Sequence, residues 1–407
     1  MKSLLIALLF FATLFAQDNT FSVIVKKPFD QALFDIVENH DRTITAVGYA
    51  KEYKTSKYRQ GTFTDAYSYL ESISNKNGKN INLIKLGTDA NILFCKSTML
   101  QQQSEAVSIL LTPQNGYFIG GYTQNGSLVV TKIDANANSI FIKQFGTKNY
   151  DKMSKLVALN DGGVLAIGSS RTSRDAHDKF FERGLGKNDI YLTRFSKDGN
   201  ILWSKKYGTE HDDIGIDAVE ANNGTIVVVA KTSYNTNQNM LLMNINENGD
   251  KLWLKEYKSD MIVNPHRVIC LRDGNFLLTL SQKSSMEKEQ IRFIKFDLQQ
   301  NIRQDKVIHT AYSTAINDIK EFKNGNFMAV GYVKDSYNTD ALAMLFDSNL
   351  NLLRQEHFGG ENYDTFNALT ILYNSQVAVA GIHTHVNSQE SNMWIVKLDA
   401  NASIARK

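Results

Sequence analysis

The sequence predicts an all-β fold: a seven-bladed β-propeller of four-stranded antiparallel blades, closed by an N-terminal strand that completes the last blade. Three observations predict it. A tight-turn signature recurs roughly every 50 residues. An alternating strand follows each such turn, and the chain ends one strand short while beginning with one to spare.

The turn signature is an Asn-Gly or Asp-Gly between two β-type runs. It stands at Asn115-Gly116, Asp161-Gly162, Asn223-Gly224, Asp273-Gly274 and Asn324-Gly325, with degenerate forms at Asp41-Arg42 and Asn374-Ser375. These residue types tolerate the positive φ of a hairpin turn. The strand that follows reads Ile81-Asn-Leu-Ile-Lys-Leu86 in the first unit and Met393-Trp-Ile-Val-Lys-Leu398 in the last. A third marker is an aromatic strand ending in Gly and then Asp, as in Phe145-Gly146 to Asp151, Tyr207-Gly208 to Asp213 and Phe358-Gly359 to Asp364. Each unit therefore reads as four strands, a to d. Gly48, Gly121, Gly168, Gly331 and Gly381 fall near the end of strand b, where a neighbouring backbone would approach closely. After Leu398 only Ser403-Ile-Ala-Arg-Lys407 follows a turn, so strand d of the last unit is missing. Phe21-Ser-Val-Ile-Val25 alternates like a strand and precedes the first strand a, so residues 20–26 are expected to fill that place.

Composition agrees with a globular protein and excludes several classes. Hydrophobic residues make up 43% and charged residues 21%, well clear of disorder. With 45 Lys and Arg against 42 Asp and Glu, there is no whole-protein basic footprint for nucleic acid. Met1-Lys2-Ser3, the apolar run from Leu4, and Ala16 before Gln17-Asp18 have the layout of a signal peptide over residues 1–16. The run is too short to span a bilayer. The expected mature chain, 17–407, is one propeller, exported to the periplasm, the outer-membrane surface or the medium. Cys95 and Cys270 fall on different blades and read as separate thiols.

The text of units three and four resembles the repeat of secreted bacterial β-propellers. It carries Asp161-Gly-Gly163, Gly168, Asn188-Asp-Ile-Tyr-Leu-Thr-Arg194, Asp198-Gly-Asn-Ile-Leu-Trp203 and Gly208 to Asp213. The Asp-x-x-Gly-x-x-x-Trp portion is more distantly similar to quinoprotein-like and outer-membrane assembly propellers. There are departures: only Trp203 and Trp253 fill the strand-d tryptophan site, seven units are countable rather than eight, and no lipidation cysteine is present. Adjacent cysteines, which quinone-binding members use, are absent too, so pyrroloquinoline quinone is not implied, and no cofactor is expected. It implies a fold, not an activity.

Two long insertions, 51–80 and 171–187, both fall between strands b and c, so both should leave the same face and flank unit two. They carry Tyr53, Tyr58, Arg59 and Tyr67, then Arg171, Arg174, Phe180, Phe181 and Arg183, residue types enriched at protein interfaces. Asp151, Asp213 and Asp364 read as caps of their own d–a turns, because their spacing repeats by unit. His383-x-His385 has metal-ligand types but no third ligand in sight, and reads as a surface pair in a b–c loop. Asp399-Ala-Asn401-Ala-Ser403 matches the extended acidic acceptor pattern for bacterial N-glycosylation at Asn401, and equally a repeat turn. No nucleophile elbow, zincin motif or phosphate loop occurs. The reading is a non-enzymatic scaffold that binds envelope proteins, with a flagellar-motor accessory structure or an outer-membrane complex as examples. The alternative is a propeller enzyme or lectin acting on glycans through an axial carboxylate-lined pocket. Acids left unpaired on the axis would favour the alternative; a plugged axis would favour the scaffold.

Overall fold

The computed structural model describes residues 20–26, 29–53, 77–98, 103–147, 150–171, 188–234, 237–284, 287–360, 362–384 and 390–404. All of its regular structure is strand. The first strand is β1 (Phe21–Val25), and blade 1 is β2 (Gln31–Glu38), β3 (Ile44–Tyr53), β4 (Asn77–Leu86) and β5 (Ile92–Thr98). Blade 2 is β6 (Ser104–Leu111), β7 (Tyr117–Thr123), β8 (Leu128–Ile133) and β9 (Ser139–Phe145). Blade 3 is β10 (Lys152–Ala158), β11 (Val164–Arg171), β12 (Asn188–Phe195) and β13 (Ile201–Tyr207). Blade 4 is β14 (Asp212–Glu220), β15 (Ile226–Tyr234), β16 (Asn237–Ile245) and β17 (Lys251–Tyr257). Blade 5 is β18 (Ile262–Cys270), β19 (Phe276–Lys283), β20 (Gln290–Phe296) and β21 (Ile302–Ile308). Blade 6 is β22 (Ser313–Glu321), β23 (Phe327–Lys334), β24 (Thr339–Phe346) and β25 (Leu352–Phe358). Blade 7 has β26 (Thr365–Ile371), β27 (Val377–Thr384) and β28 (Ser391–Leu398), and β1 completes it.

The closure is antiparallel, with Phe21 opposite Lys397 and Val25 opposite Met393. The Trp394 indole N–H donates to Ser22 Oγ at 2.8 Å across the same pair. Blade 1 is then tied to blade 7 by Asn367 Nδ2 donating to the Leu33 carbonyl at 2.7 Å and by the Tyr373 amide donating to Glu38 Oε2 at 2.9 Å. The missing outer strand and the spare first strand are thus the same piece of structure.

Each blade is apolar on both faces, so it is stable only between two neighbours. The core is accordingly split into seven clusters, one in each seam. The seam of blades 7 and 1 packs Ala380, Met393 and Ile395 against Leu33, Ile44 and Ile84.

Every strand a carries a β-bulge at the same place, between Leu33 and Asp35 in blade 1 and between Met153 and Lys155 in blade 3. The bulge arches strand a over strand b. A Cβ on Gly168 would lie 1.9 Å from the Lys152 carbonyl oxygen, which is why the end of strand b takes glycine there. The close approach is thus inside one blade, from strand a. Blade 4 has Ala230 at this place and moves the glycine to its partner in strand a, Gly215.

The a–b turns differ in one detail from the two-residue hairpin. Each has a single left-handed residue: Gly162 at φ 80°, Gly325 at 83°, Arg42 at 69°. Gly162 N donates to the Leu159 carbonyl, and Leu159 N to the Gly163 carbonyl, so the loop has three residues and ends on the left-handed one. In blade 2 that residue is Asn115 (φ 61°), not Gly116. Asparagine is the non-glycine residue that tolerates this conformation best.

Candidate functional site

Two places gather chemistry. One is the axis. The residue after the bulge is Asp35 in blade 1, Ser108 in blade 2, Lys155 in blade 3, Asp217 in blade 4, Arg267 in blade 5 and Asp318 in blade 6. Blades 1 and 3 meet only at the centre of the ring, and there Lys155 Nζ lies 3.0 Å from Asp35 Oδ2. Arg267 lies between Asp217 (3.6 Å) and Asp318 (2.9 Å). The carboxylates also reach the next blade's backbone. Asp35 Oδ2 accepts from the Ile109 amide at 3.0 Å and the Ser108 hydroxyl at 2.8 Å. Asp217 Oδ2 accepts from Val268 N at 3.1 Å, and Asp318 Oδ2 from Leu369 N at 3.0 Å.

The titrations follow from burial and pairing. Burial raises Asp318, but Arg267, Lys320 and Lys155 outweigh it and hold the carboxyl down at about 2. Burial raises Asp217 against the pull of Arg267 and Lys155. Burial lowers Lys155, with Arg267 adding to it. His266, the bulged residue of blade 5, is pushed down to about 4 by burial and then by Arg267 and Lys231, and its Nε2 lies 2.9 Å from Ser281 Oγ. All five charged side chains have partners, so the axis is plugged by an ionic lattice that couples one blade to the next. The mouth on the a–b side is walled by Leu110, Val157, Val219 and Ile269.

The second place is a cleft on the opposite side, where the b–c loops and d–a turns emerge. Blade 1 contributes Lys51 and Lys79, blade 2 Ser104, Glu105, Tyr122 and Gln124, the following d–a turn Tyr150, and the start of β10 Lys152. Tyr122 donates its hydroxyl to Glu105, its direct cross-strand partner, and Lys79 Nζ lies 2.6 Å from the other Glu105 oxygen. Lys79 also sits 4.0 Å from the centre of the Tyr49 ring, and Lys51 pairs with Asp30. Burial and the Glu105 carboxylate push the Tyr122 hydroxyl above the phenol range.

The d–a turns hold the three aspartates singled out from sequence. Asp151 accepts from Thr147 Oγ1 at 2.8 Å, Asp213 from Thr209 Oγ1 at 3.0 Å and from the Thr209 amide, and Asp364 from the Gly360 amide at 2.8 Å. All three are fully buried. At Gly146 (φ 106°) an added Cβ would lie 2.2 Å from Asp151 Oδ2, which ties the Gly and the Asp of this motif together. Asp364 takes a further bond from His383 Nδ1 at 2.7 Å. His383 is therefore the end of β27, engaged with a carboxylate and packed against Trp394, and is not a residue of a surface loop. His385 lies outside the described residues.

The insertions leave from β3 and β11 on the cleft side, on either side of blade 2. Tyr53 closes β3 opposite Asn77, and the exposed Arg171 closes β11 opposite Asn188. Tyr58, Arg59, Tyr67, Arg174, Phe180, Phe181 and Arg183 lie outside the described residues. Asn401 is exposed in a c–d turn in which Asp399 accepts from Asn401 N at 2.9 Å and Ser403 N at 2.8 Å. The same turn recurs at Asp134 and Asp347. Cys95 and Cys270 are free thiols on blades 1 and 5. Among the described residues no group of three His, Cys, Asp or Glu is placed to hold a metal. No helix of these residues is long and apolar enough to cross a membrane.

The axial lattice and the cleft were both missed in sequence. The signal for the first was a charged residue at one repeat position of strand a, Asp35, Lys155, Asp217, Arg267 and Asp318. No local signal marks the cleft, because its walls come from three separate blades.

No protein-family model matches the chain, and no curated protein matches it. Solved structures are similar in fold. Kuenenia stuttgartiensis hydrazine synthase is 8% identical over 93% of this chain and 98% of that one, with a TM-score of 0.57. An ulvan lyase of polysaccharide lyase family PL25, bound to a saccharide, is 9% identical over 80% and 88%, at 0.52. A chain of a mitotic checkpoint complex is 10% identical over 97% of both, at 0.53. At such identities the likeness shows the propeller fold alone.

Proposed function

We propose that the protein is an exported, non-enzymatic propeller that docks envelope proteins through the face bearing the cleft and the two insertions. One observation carries this reading: the five charged side chains that strand a sends to the axis, Asp35, Lys155, Asp217, Arg267 and Asp318, are each engaged with another blade, so none of these carboxylates is left unengaged for acid–base chemistry on a polymer. The opposite face has what a docking surface needs. Both insertions start there, with Tyr53 and Arg171 at their stems, and Tyr150 stands exposed between them. Propellers similar in fold include a chain of a multiprotein checkpoint complex as well as enzymes, so the fold is compatible with assembly without demanding it. Export rests on residues 1–16 alone.

The test is crosslinking in cells followed by mass spectrometry, for the native protein and for a variant with residues 54–76 replaced by a short Gly-Ser turn. The expected result is an unchanged melting curve with loss of specific envelope adducts. Unchanged adducts would contradict the docking reading.

A further inference from the structure

The cleft beside blade 2 goes beyond that reading and stands apart from it. Its volume is about 460 Å³, in the range of small-molecule sites. Three features mark it. First, Ser104 is only 2% exposed and lines the cleft, yet its hydroxyl has no hydrogen-bond partner among the described residues. A buried hydroxyl without a partner is destabilising. Second, the Tyr122–Glu105–Lys79 chain lines the cleft wall, joining blade 2 to blade 1. Third, the Tyr150 side chain, 69% exposed, stands at the rim. Its backbone is left-handed (φ 61°) and is held there by the Asp151 amide bonding to the Gly126 carbonyl at 2.9 Å. A side chain at Gly126 would run into the Tyr150 Cα at 2.4 Å, so the glycine is required for this placement.

These features narrow the ligand. A strongly anionic one is disfavoured, because Lys51 and Lys79 are each already neutralised by a carboxylate. An apolar one would leave the Ser104 hydroxyl still without a partner. The walls ask for a compact molecule that both donates and accepts hydrogen bonds and also presents a flat C–H face to a tyrosine ring. Sugar rings meet all of these conditions, with hydroxyls around the edge and C–H groups on the faces. We infer that this off-axis cleft is a saccharide-binding site, with the Glu105–Lys79 pair reading ring hydroxyls, the buried Ser104 hydroxyl turning outwards to join them, and Tyr150 stacking on a ring face.

The experiment uses the full mature chain and three soluble probes: chitotetraose, maltotetraose and trigalacturonic acid. Binding is read by saturation-transfer NMR and titration calorimetry. At least one neutral probe should bind, with affinity reduced about ten-fold or more in Ser104→Val and in Tyr150→Ala. Tyr150→Ala alters only an exposed side chain and keeps the assay interpretable if Ser104→Val proves unstable. Absence of binding for all three probes would overturn the inference, as would binding that both variants retain. Preference for the galacturonic acid trimer over both neutral probes would also count against it. Protein adducts in cells that persist while no sugar binds would sink this site and leave the docking reading intact.

Discussion

The axis and the cleft both collect charged side chains from several blades, and they use them in opposite ways. On the axis each carboxylate meets a cation, a backbone amide of the next blade, or both, and nothing is left over. In the cleft a buried hydroxyl has no partner among the described residues and a tyrosine stands in solvent at a left-handed backbone position. Convergence of acids on a propeller axis is therefore not by itself evidence of catalysis. What separates architecture from function is whether the polar groups are already satisfied.

The largest effect is expected from removing residues 20–26, on which both regions depend. Without β1, blade 7 has three strands and β28 becomes an open edge. The melting temperature should fall by more than about 10 °C. A melt within a degree or two of the native protein's would show that the ring does not need this closure.

Next comes Arg267→Met. It leaves Asp217 and Asp318 without their shared cation in a buried place, and should cost about 3–5 kcal/mol in chemical denaturation. The matching change in the cleft, Glu105→Gln, breaks a pair whose lysine is partly exposed, and should cost about 1 kcal/mol or less. Equal losses at the two sites would erase the distinction between them.

The pH response sharpens the same contrast. His266 has a folded value of about 4, below its ordinary 6.5, so the unfolded chain binds the extra proton between those values. Its contribution is complete above pH 6.5 and is lost as pH falls towards 4, on the order of 3 kcal/mol. Asp318, held at about 2, loses its contribution lower still, between about pH 4 and 2. His266→Asn should flatten the fall in denaturation midpoint between pH 6.5 and 4.5 and leave the steeper acid loss below pH 4. An unchanged slope in that window would mean that the imidazole is not held neutral beside Arg267.

The ring itself was legible in the sequence because its signals are local and repeat: the turn glycines, the alternating strands and the surplus strand at Phe21–Val25. The Asn115-Gly116 dipeptide marks its turn, but only Asn115 is left-handed, because a two-residue and a three-residue loop share the same dipeptide. The axial lattice was hidden by the bulges. One extra residue shifts the alternation of strand a, and the shift turns Asp35 and Asp217 towards other blades. The cleft was invisible for a different reason. Lys79, Ser104 and Tyr150 are unremarkable singly and meet only because three blades are brought to one corner. The insertions were the part of that face that sequence did mark, through their length.

The most direct test places a photocrosslinking amino acid at Tyr150, beside the cleft, and in a second strain at Ile371, in the axial mouth on the other face. With the protein folded in cells, specific adducts should form from position 150 and be lacking from position 371. Adducts from 371 with none from 150 would contradict the account and return the function to the axis.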